Sequence, residues 1–458
     1  MEDKSQYRYR FISRIVIETV TPLAVGSGEK DIITDARVAK DVNGLPYIPG
    51  TSLAGIIRHA VGECKKDSHI WGYQKGKSGR GSEIIFSNAN IIDSEGSVVD
   101  GFVEKTNFLN QFNDLPIRQH AKIDHKGATA NTGKFDEEIV FKGSRFCFEI
   151  ELMISEKDKK EDIEDFERIL SELYRKSFRI GGGTRSGFGE VKVISCKKKL
   201  LDLKDKKELQ IYLDKTSSLV ESSFWEDAEE FDEKDINEKD WTTYRLELKP
   251  DGFFLFGSGY GDDEVDMTPV KESCIEWDGN KAEFKDNNIL IPATSVKGAL
   301  AHRVAFYYNM ETHYMADKHE PDEFKDHVGK NNEAVKALFG TEDTNDPDMQ
   351  RGNVMISDVI QKPVGNKKMD KVLNHVSIDR FTGGAIDGAL FSEKVTDCME
   401  SSFELTIMVN NKAFGKKYVK ESLSAALNDI CSGMLPLGGG VNRGNGIFVG
   451  SIKSMEDK

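Results

Sequence analysis

The stretch that decides the fold is Ile48-Pro49-Gly50-Thr51-Ser52-Leu53-Ala54-Gly55, and a second version of it is Ile291-Pro292-Ala293-Thr294-Ser295-Val296-Lys297-Gly298. In both, small and hydroxyl-bearing residues follow a proline, and apolar residues continue at helical spacing. This pattern predicts the start of a helix, with Ser52 and Ser295 as the N-cap residues. The recurrence of the stretch indicates that the chain repeats one design.

Four further matches between the two halves occur in the same order along the chain. The offset is the same for the first two pairs and only grows afterwards, as expected for a tandem duplication with loop insertions. The pairs are Gly26-Ser27-Gly28 with Gly257-Ser258-Gly259, Asp35 with Asp266, His120-Ala121-Lys122-Ile123-Asp124-His125 with His375-Val376-Ser377-Ile378-Asp379-Arg380, and Gly181-Gly182-Gly183-Thr184-Arg185 with Gly438-Gly439-Gly440-Val441-Asn442-Arg443.

The composition is typical of a soluble protein with more than one domain. At 458 residues the chain exceeds the ~150–200 residues of an ordinary single core. No stretch approaches the ~18 apolar residues of a membrane span. The first residues, Met1-Glu2-Asp3-Lys4-Ser5, lack the basic-then-apolar plan of a signal peptide. We therefore expect a cytoplasmic protein without a membrane partner.

The net charge of −15 is unevenly distributed, with +2 over residues 1–200, −8 over 201–241 and −9 over 242–458. Overall acidity argues against nucleic acid, because proteins that bind it usually carry a basic surface, but the first half is nearly neutral. The acidic piece predicts a first domain at 1–204, an acidic linker at 205–240 and a second domain at 241–458. The linker is either solvated or a docking segment for a basic partner.

The cysteines do not indicate a metal centre or a disulfide framework. All six are scattered without CxxC spacing, so reduced and mostly buried thiols are expected. His59, Cys64 and His69, and the histidines between 302 and 327, also lack the close paired spacing of a strong zinc site. Structural zinc is therefore the weaker interpretation.

Each half presents strand-like and helix-like patterns in one order. Alternating or apolar runs predict strands, and amphipathic stretches predict helices. The resulting sequence of strand, helix, strands, helix and strand indicates a ferredoxin-like α+β sandwich in each half. The predicted strands are 11–20, 146–152, 189–193, 244–249 and 403–409, and the predicted helices are 53–61, 162–175, 296–307 and 416–430.

These motifs together resemble the RAMP superfamily. The most specific piece is Gly44-Leu45-Pro46-Tyr47-Ile48-Pro49-Gly50-Thr51-Ser52-Leu53, which lies between the Gly-Ser-Gly turn and the triple-glycine loop. Ile378-Asp379-Arg380-Phe381-Thr382-Gly383-Gly384-Ala385 is similar to the thumb of Cas-seven-type backbone subunits from type III CRISPR effectors. The resemblance covers nearly the whole chain twice, which implies the fused, tandem form of such a subunit.

The resemblance implies a fold, a set of partners and an activity. Each half would have a ferredoxin-like, RNA-recognition-like palm with a thumb insertion. The partners would be CRISPR guide RNA, single-stranded target RNA and other type III effector subunits, including a large polymerase-like one. Asp35 and Asp266 match the loop aspartate that cuts target RNA with a divalent metal, Mg²⁺ or Mn²⁺. More residues separate Asp266 than Asp35 from the next motif, and Asp31, Asp262 and Asp263 are alternative carboxylates.

One loop carboxylate suits this chemistry. RNA carries its own nucleophile, the 2′-hydroxyl, which must be aligned with the phosphate and relieved of its proton. A carboxylate can act as the base or as a metal ligand, and Mg²⁺ tolerates sparse protein coordination. The competing interpretation is that each aspartate only forms a turn.

RNA contacts are predicted for residues of the glycine loops, the motif helices and the thumbs. Glycine lets backbone amides approach phosphates closely, arginine and lysine add charge, and Phe381 can stack on unstacked bases. Competing interpretations are tight turns, solvated helix faces, structural hydrogen bonds by Asp124 and Asp379, and a core position for Phe381. The predicted set is Ser27, Ser52, Arg58, His59, Lys126, Gly182, Gly183, Arg185, Ser258, Ser295, Lys297, Arg303, Arg380, Phe381, Gly439, Gly440 and Arg443.

Three other functions remain compatible with the sequence. The chain could bind guide RNA with one or both aspartates idle. It could be a maturation enzyme for the guide precursor, although that chemistry usually employs a general acid–base such as histidine. Its acidity also permits an unrelated protein-interaction module.

Overall fold

The fold is taken from a computed structural model of the chain. The structure describes residues 7–28, 34–62, 70–76, 78–123, 129–233, 236, 238–320, 323, 325–341, 351–362, 370–397 and 402–455. No helix in this part of the chain is both long enough and apolar enough to cross a bilayer.

The first half builds one antiparallel sheet with the helices Gly50–Ala60 and Lys159–Glu172 on one face, the helix Lys206–Asp214 on the other, and a long hairpin at its end. In the sheet, the strands Val191–Asp202, Tyr7–Thr19, Arg145–Ser155 and Ile84–Phe86 lie side by side, which is the strand order of a ferredoxin-like fold. The elements are β1 (Tyr7–Thr19), α1 (Gly50–Ala60), β2 (Tyr73–Lys75), β3 (Ser78–Arg80), β4 (Ile84–Phe86), β5 (Asn90–Ile91), α2 (Asn107–Asn110), β6 (Ile117–Ile123), β7 (Thr129–Glu138), β8 (Arg145–Ser155), α3 (Lys159–Glu172), β9 (Val191–Asp202), α4 (Lys206–Asp214) and β10 (Glu229–Glu230).

The second half repeats this plan. Its sheet has the order Val354–Ile356, Phe403–Asn410, Trp241–Pro250, Phe448–Met455, which is the same ferredoxin-like order, so the predicted fold class is confirmed. The elements are β11 (Trp241–Pro250), β12 (Phe253–Phe254), β13 (Lys271–Asp278), β14 (Lys281–Ile291), α5 (Ala293–Glu311), α6 (Glu333–Phe339), β15 (Val354–Ile356), β16 (Val359–Gln361), β17 (Asp370–Ile378), β18 (Ala385–Asp397), β19 (Phe403–Asn410), α7 (Val419–Cys431) and β20 (Phe448–Met455).

Each domain has its own apolar core between helices and sheet. In the first, Phe11 of β1 meets Phe166 of α3 with ring centroids 4.5 Å apart, and Phe146 and Phe148 of β8 are fully buried. In the second, residues of α5 and α7 cover β11 and β19. Burial of one such large side chain stabilises the fold by about 1.5–3 kcal/mol, so these two cores hold the repeated architecture.

The two motif helices form as predicted but begin three residues earlier, at Gly50 and Ala293, so Ser52 and Ser295 lie inside them and are not their caps. The helices follow Pro49 and Pro292, and neither has a side-chain cap of its own. A residue from the turn after the neighbouring strand accepts the first amide instead. Asn88 Oδ1 accepts from Gly50 N at 2.9 Å, and Asp358 Oδ1 accepts from Ala293 N at 2.7 Å.

The extra residues between Asp266 and the second motif helix form a hairpin, β13–β14, that packs on the first domain. Phe284 of β14 contacts an aromatic cluster there, with its ring centroid 5.0 Å from that of Phe141 and 5.1 Å from that of Phe108. The indole nitrogen of Trp277 donates to the carbonyl of Gly143 at 2.7 Å. The two domains are therefore joined by apolar packing as well as by the chain that connects them.

The acidic segment folds back on lysines of the first sheet. β10 pairs with β9, and Phe224 and Trp225 are buried. The ammonium groups of Lys198 and Lys199 contact acidic side chains of this segment, Lys199 through Asp227 and Lys198 at 3.9 Å through Glu229. A basic partner for the segment thus lies within the chain itself, while the boundaries at 204 and 241 stay a prediction.

Candidate functional site

The two Gly-Ser-Gly turns each start a loop that folds back on itself. Gly26 bridges to Val38 in the first domain, and Gly257 bridges to Pro269 in the second. The amide of Ser27 donates to the carbonyl of Arg37 at 2.8 Å, and Ser258 does the same to Thr268 at 2.9 Å. The loops, called here the aspartate loops (residues 26–38 and 257–269), therefore have matching geometry within their described residues.

In the first domain the aspartate loop is attached to the base of the hairpin β6–β7, which we call the first thumb. Asp35 is exposed, its amide donates to Asp136 Oδ1 at 2.9 Å, and its Oδ2 accepts from the amide of Asp136 at 3.2 Å. A second bond joins Lys40 and Glu138, whose Nζ and Oε1 are 2.7 Å apart. The reciprocal pair fixes the direction of the Asp35 carboxylate.

In the second domain the same connection reaches the hairpin β17–β18, the second thumb. Asp266 is exposed, and its Oδ2 accepts from both the amide and the hydroxyl of Ser392, at 2.7 and 3.1 Å. Lys394 binds Asp262 at 2.7 Å, which reverses the charges of the ion pair in the first domain. The ammonium of Lys394 lowers the pKa of Asp262 to about 2. Asp262 is thus held as a structural partner, while Asp31 lies outside the described residues.

Behind each clamped aspartate lies a histidine–glutamate pair. His120 Nε2 is 2.9 Å from Glu137 Oε1, and His375 Nε2 is 3.0 Å from Glu393 Oε1. Each imidazole also stacks on a phenylalanine of the facing strand, at 4.7 Å between centroids in both thumbs. Glu393 is fully buried, and it also contacts the guanidinium of Arg443 at 2.6 Å.

The glutamates were missed by the sequence analysis, although a signal existed. Phe135-Asp136-Glu137 and Phe391-Ser392-Glu393 are a sixth repeated motif, with a phenylalanine and a glutamate at matching positions. The parallel bridges Ala36–Glu137 and Met267–Glu393 show that the two motifs are structurally equivalent.

The triple-glycine loops lie against the chain just before the aspartate loops. The amides of Gly182 and Gly439 donate at 2.6 Å to the carbonyls of Ala24 and Leu255. These two amides are therefore already paired within the chain, and the phosphate contact of the loops stays a prediction. Gly183 and Gly440 both have a left-handed backbone, with φ of +62° and +69°.

The two loop arginines point to different places. Arg443 lies beside the second thumb on Glu393. Arg185 instead donates to the carbonyl of Gly352 at 2.7 Å and lies over the ring of Trp241, so it faces the second domain. Burial, together with the guanidinium groups of Arg351 and Arg179, lowers the pKa of Arg185 to about 9, and it remains charged at neutral pH.

The predicted residues on the motif helices form a separate group. Arg58 and His59 are exposed near the end of α1. Arg303 of α5 donates to the carbonyl of Met434 at 2.7 Å and contacts Asp429, which ties it to α7. Among the described contacts, none joins Arg58, His59 or Arg303 to Asp35 or Asp266. Ser52, Ser295 and Lys297 are partly buried in the first turn of their helices.

The tip of the second thumb presents an aromatic side chain to solvent. Phe381 is 99% exposed, which excludes a core position, and Arg380 beside it is also exposed. Asp379 accepts from the amides of Phe381 and Thr382, so it has the structural role that was one of its two interpretations. In the first thumb, Asp124, His125 and Lys126 lie outside the described residues.

These features define the class of the protein. The sequence profile of the RAMP superfamily matches residues 16–192 and 254–449, most of the chain, and so the chain belongs to that superfamily and carries two copies of its domain. Over 195 residues it is 30% identical to the CRISPR system Cms endoribonuclease Csm3 of Methanocaldococcus jannaschii. That alignment covers 39% of this chain and 75% of the relative. The predicted family resemblance is thus confirmed.

Proposed function

We propose that this chain is a backbone subunit of a cytoplasmic type III CRISPR ribonucleoprotein. In this proposal it binds guide RNA, assembles with other effector subunits including a large polymerase-like one, and cleaves complementary target RNA at two positions. Asp35 serves one position and Asp266 the other. The observation that carries the proposal is the repeated site, in which an exposed loop aspartate is clamped to the base of a thumb in each half.

The proposed chemistry uses the two loop carboxylates, which are exposed to solvent and held in place by hydrogen bonds to the thumbs. An RNA strand crossing the base of a thumb can place its 2′-hydroxyl against the clamped carboxylate, which aligns the nucleophile and accepts its proton. The thumb can also contact the bases and backbone of this RNA strand, because Phe381 and Arg380 are exposed at the tip of the second thumb. The chain then supplies orientation and proton transfer, while the guide supplies the sequence choice by base pairing.

The donor set fits a hard divalent cation. Asp35 and Asp136 offer carboxylate oxygens, the ligands preferred by Mg²⁺, and Asp266 offers one carboxylate in the second site. Among the described residues no three His, Cys, Asp or Glu side chains gather as a metal cluster, so waters and phosphate oxygens would complete the coordination. Bound Mg²⁺ or Mn²⁺ would neutralise negative charge on the phosphate during cleavage.

Single substitutions of the two aspartates test the proposal. In the assembled complex with guide RNA, Asp35→Ala should remove one target cut and Asp266→Ala the other, each by about 100-fold or more, since positioned acid–base groups contribute about 10²–10⁴-fold. The measurement is the product pattern of an end-labelled target RNA. If both variants give the wild-type pattern, the chain is a binding subunit without catalysis, and the nuclease part of the proposal is wrong.

Substitution of the thumb tip tests RNA contact separately from cleavage. Phe381→Ala should weaken target-RNA binding by about 1–3 kcal/mol, which is the value of stacking one base on an aromatic ring. It should leave the unfolding midpoint unchanged, because the ring is 99% exposed. Phe102→Ala is a matched control, since this ring is 87% exposed and belongs to the loop between β5 and α2, not to a thumb hairpin. Equal binding by the two variants would contradict the stacking role.

A further inference from the structure

We infer that Asp136 and Ser392 are positioning residues, which hold the carboxylates of the two cleavage aspartates by hydrogen bonds and are called here the clamp residues. We infer further that the chemical difference between them makes the two sites of this chain cleave at unequal rates. The inference rests on the proposed function and deepens it. It concerns residues outside the five motif pairs found from the sequence alone, and it gives each site a specific partner on the facing thumb.

The two residues occupy one structural position. Each follows the stacked phenylalanine of its thumb and precedes the glutamate that holds the histidine. The amides of Glu138 and Lys394, two residues further on, donate to the aspartate loops at 2.9 and 2.8 Å. Asp136 and Ser392 are therefore equivalent positions that carry different chemistry.

The difference changes what the cleavage aspartate receives. In both sites the thumb side chain accepts from the amide of the loop aspartate, at 2.9 Å for Asp136 and 3.3 Å for Ser392. The carboxylate of Asp35 receives one donor from this position, the amide of Asp136. The carboxylate of Asp266 receives two donors, the amide and the hydroxyl of Ser392. An oxygen that already accepts two hydrogen bonds has less capacity left for the proton of a 2′-hydroxyl or for another ligand.

The first site also carries a second carboxylate where the second site carries a hydroxyl. Both loop aspartates are exposed, so burial does not fix the direction of their carboxylates. Among the described contacts, the hydrogen bonds to the thumb fix that direction. Loss of such a clamp misplaces the reacting group without removing it. A displacement of about 1 Å at a reacting centre can reduce the rate by about 10²-fold.

Alanine and exchange variants in the complex test the inference. Asp136→Ala removes the side-chain acceptor of the Asp35 amide, and Ser392→Ala removes the hydroxyl that donates to Asp266. Both variants keep the backbone amide that donates to the loop aspartate. Asp136→Ala should slow the cut assigned to Asp35 by about 10- to 100-fold and leave the other cut alone, and Ser392→Ala should do the reverse. Asp136→Ser should restore the clamp and give the Asp35 cut the rate of the Asp266 cut. Ser392→Asp should move the Asp266 cut toward the rate of the other.

The two cuts on one target molecule control for each other. A general loss of folding, assembly or guide binding slows both cuts, whereas loss of one clamp slows only the cut at its own site. Target affinity, measured by filter binding, should stay within about twofold of wild type, because the clamp residues orient the aspartate and do not pair with the target RNA. Asp93→Ala is a matched control, since the Asp93 carboxylate also accepts from two backbone amides but in a turn elsewhere in the first domain.

Each outcome decides the matter. If Asp136→Ala and Ser392→Ala leave their own cuts at the wild-type rate, or slow both cuts equally, the positioning role is wrong. If Asp35→Ala and Asp266→Ala remove their cuts while the clamp variants do nothing, the proposed function stands and only this inference is overturned. If the aspartate variants also do nothing, both are overturned.

Discussion

The Arg118→Met variant is expected to lose about 3–5 kcal/mol of unfolding free energy, the cost of breaking a buried ion pair by removing one partner. Arg118 lies on β6 of the first thumb and reaches into the second domain, where its Nε contacts Glu272 and its Nη2 is 3.0 Å from Asp358 Oδ2. All three side chains are at most 6% exposed. Without Arg118, two carboxylates stay buried without the guanidinium that bonds to both.

The electrostatics of this triad explain why one side chain has so large an effect. Burial alone would lower the pKa of Arg118, but the two carboxylates outweigh burial and raise it. Asp358 has a second task, because it accepts the first amide of α5. The carboxylate of Asp358 therefore accepts a hydrogen bond from the start of the second motif helix and forms an ion pair with the first thumb.

Chemical denaturation of the full chain measures the effect. Arg168→Met is the matched control, because Arg168 on α3 pairs with Asp165 with half of its side chain exposed, and such pairs contribute about 0–1 kcal/mol. A triple variant that replaces Arg118 and Glu272 by methionine and Asp358 by asparagine should recover much of the loss, since it leaves no buried charge. Equal losses for Arg118→Met and Arg168→Met would contradict the buried triad.

The fold could be predicted because it depends on patterns local to each element. Alternating runs predicted β1, β8, β11 and β19, and apolar helical spacing predicted α1 and α5. The repeat showed that both halves have these elements in the same order. That order of strands and helices is typical of a ferredoxin-like fold, whose strand order both sheets have. Prediction worked wherever the periodicity of a segment and the duplication carried the information.

The contacts between distant segments could not be predicted in this way. The helix caps come from Asn88 and Asp358, each far along the chain from the helix start, and a nearby serine fits the same local pattern. The clamp joins Asp35 to Asp136, 101 residues away. Spacing along a sequence does not state which loop meets which thumb, because that depends on how the hairpins pack.

The same limit applies to the charges. The acidic segment and the lysines of β9 are visible in the sequence as separate runs, and only β-pairing brings Glu230 opposite Lys197. The excess negative charge of residues 201–241 is therefore partly paired within the chain. This removes part of the objection that acidity raises against RNA binding, because a whole-chain sum does not describe the surface near the thumbs.

Alanine at the first glycine of either triple-glycine loop is expected to be the second most damaging change, costing about 2–5 kcal/mol of unfolding free energy. Gly181 and Gly438 have φ of +84° and +95°, which costs an L-residue about 1–2 kcal/mol. A Cβ at these positions would also lie 2.4 Å from the carbonyl oxygen of Ala24 and 2.5 Å from that of Leu255. Backbone cannot yield as a flexible side chain does, so overpacking adds about 1–3 kcal/mol.

The neighbouring glycine provides a control with the same chemistry. A Cβ on Gly182 would lie 3.5 Å from the Ala24 oxygen, an ordinary contact, and its backbone is not left-handed. We therefore expect Gly182→Ala to unfold within about 1 kcal/mol of wild type, while Gly181→Ala unfolds much earlier in thermal and denaturant melts. Because this loop bonds to the chain segment that leads into the aspartate loop, Gly181→Ala should also slow the cut assigned to Asp35 more than that assigned to Asp266. If Gly181→Ala and Gly182→Ala were equally stable, the close approach of the glycine loop to Ala24 could not be what this position requires.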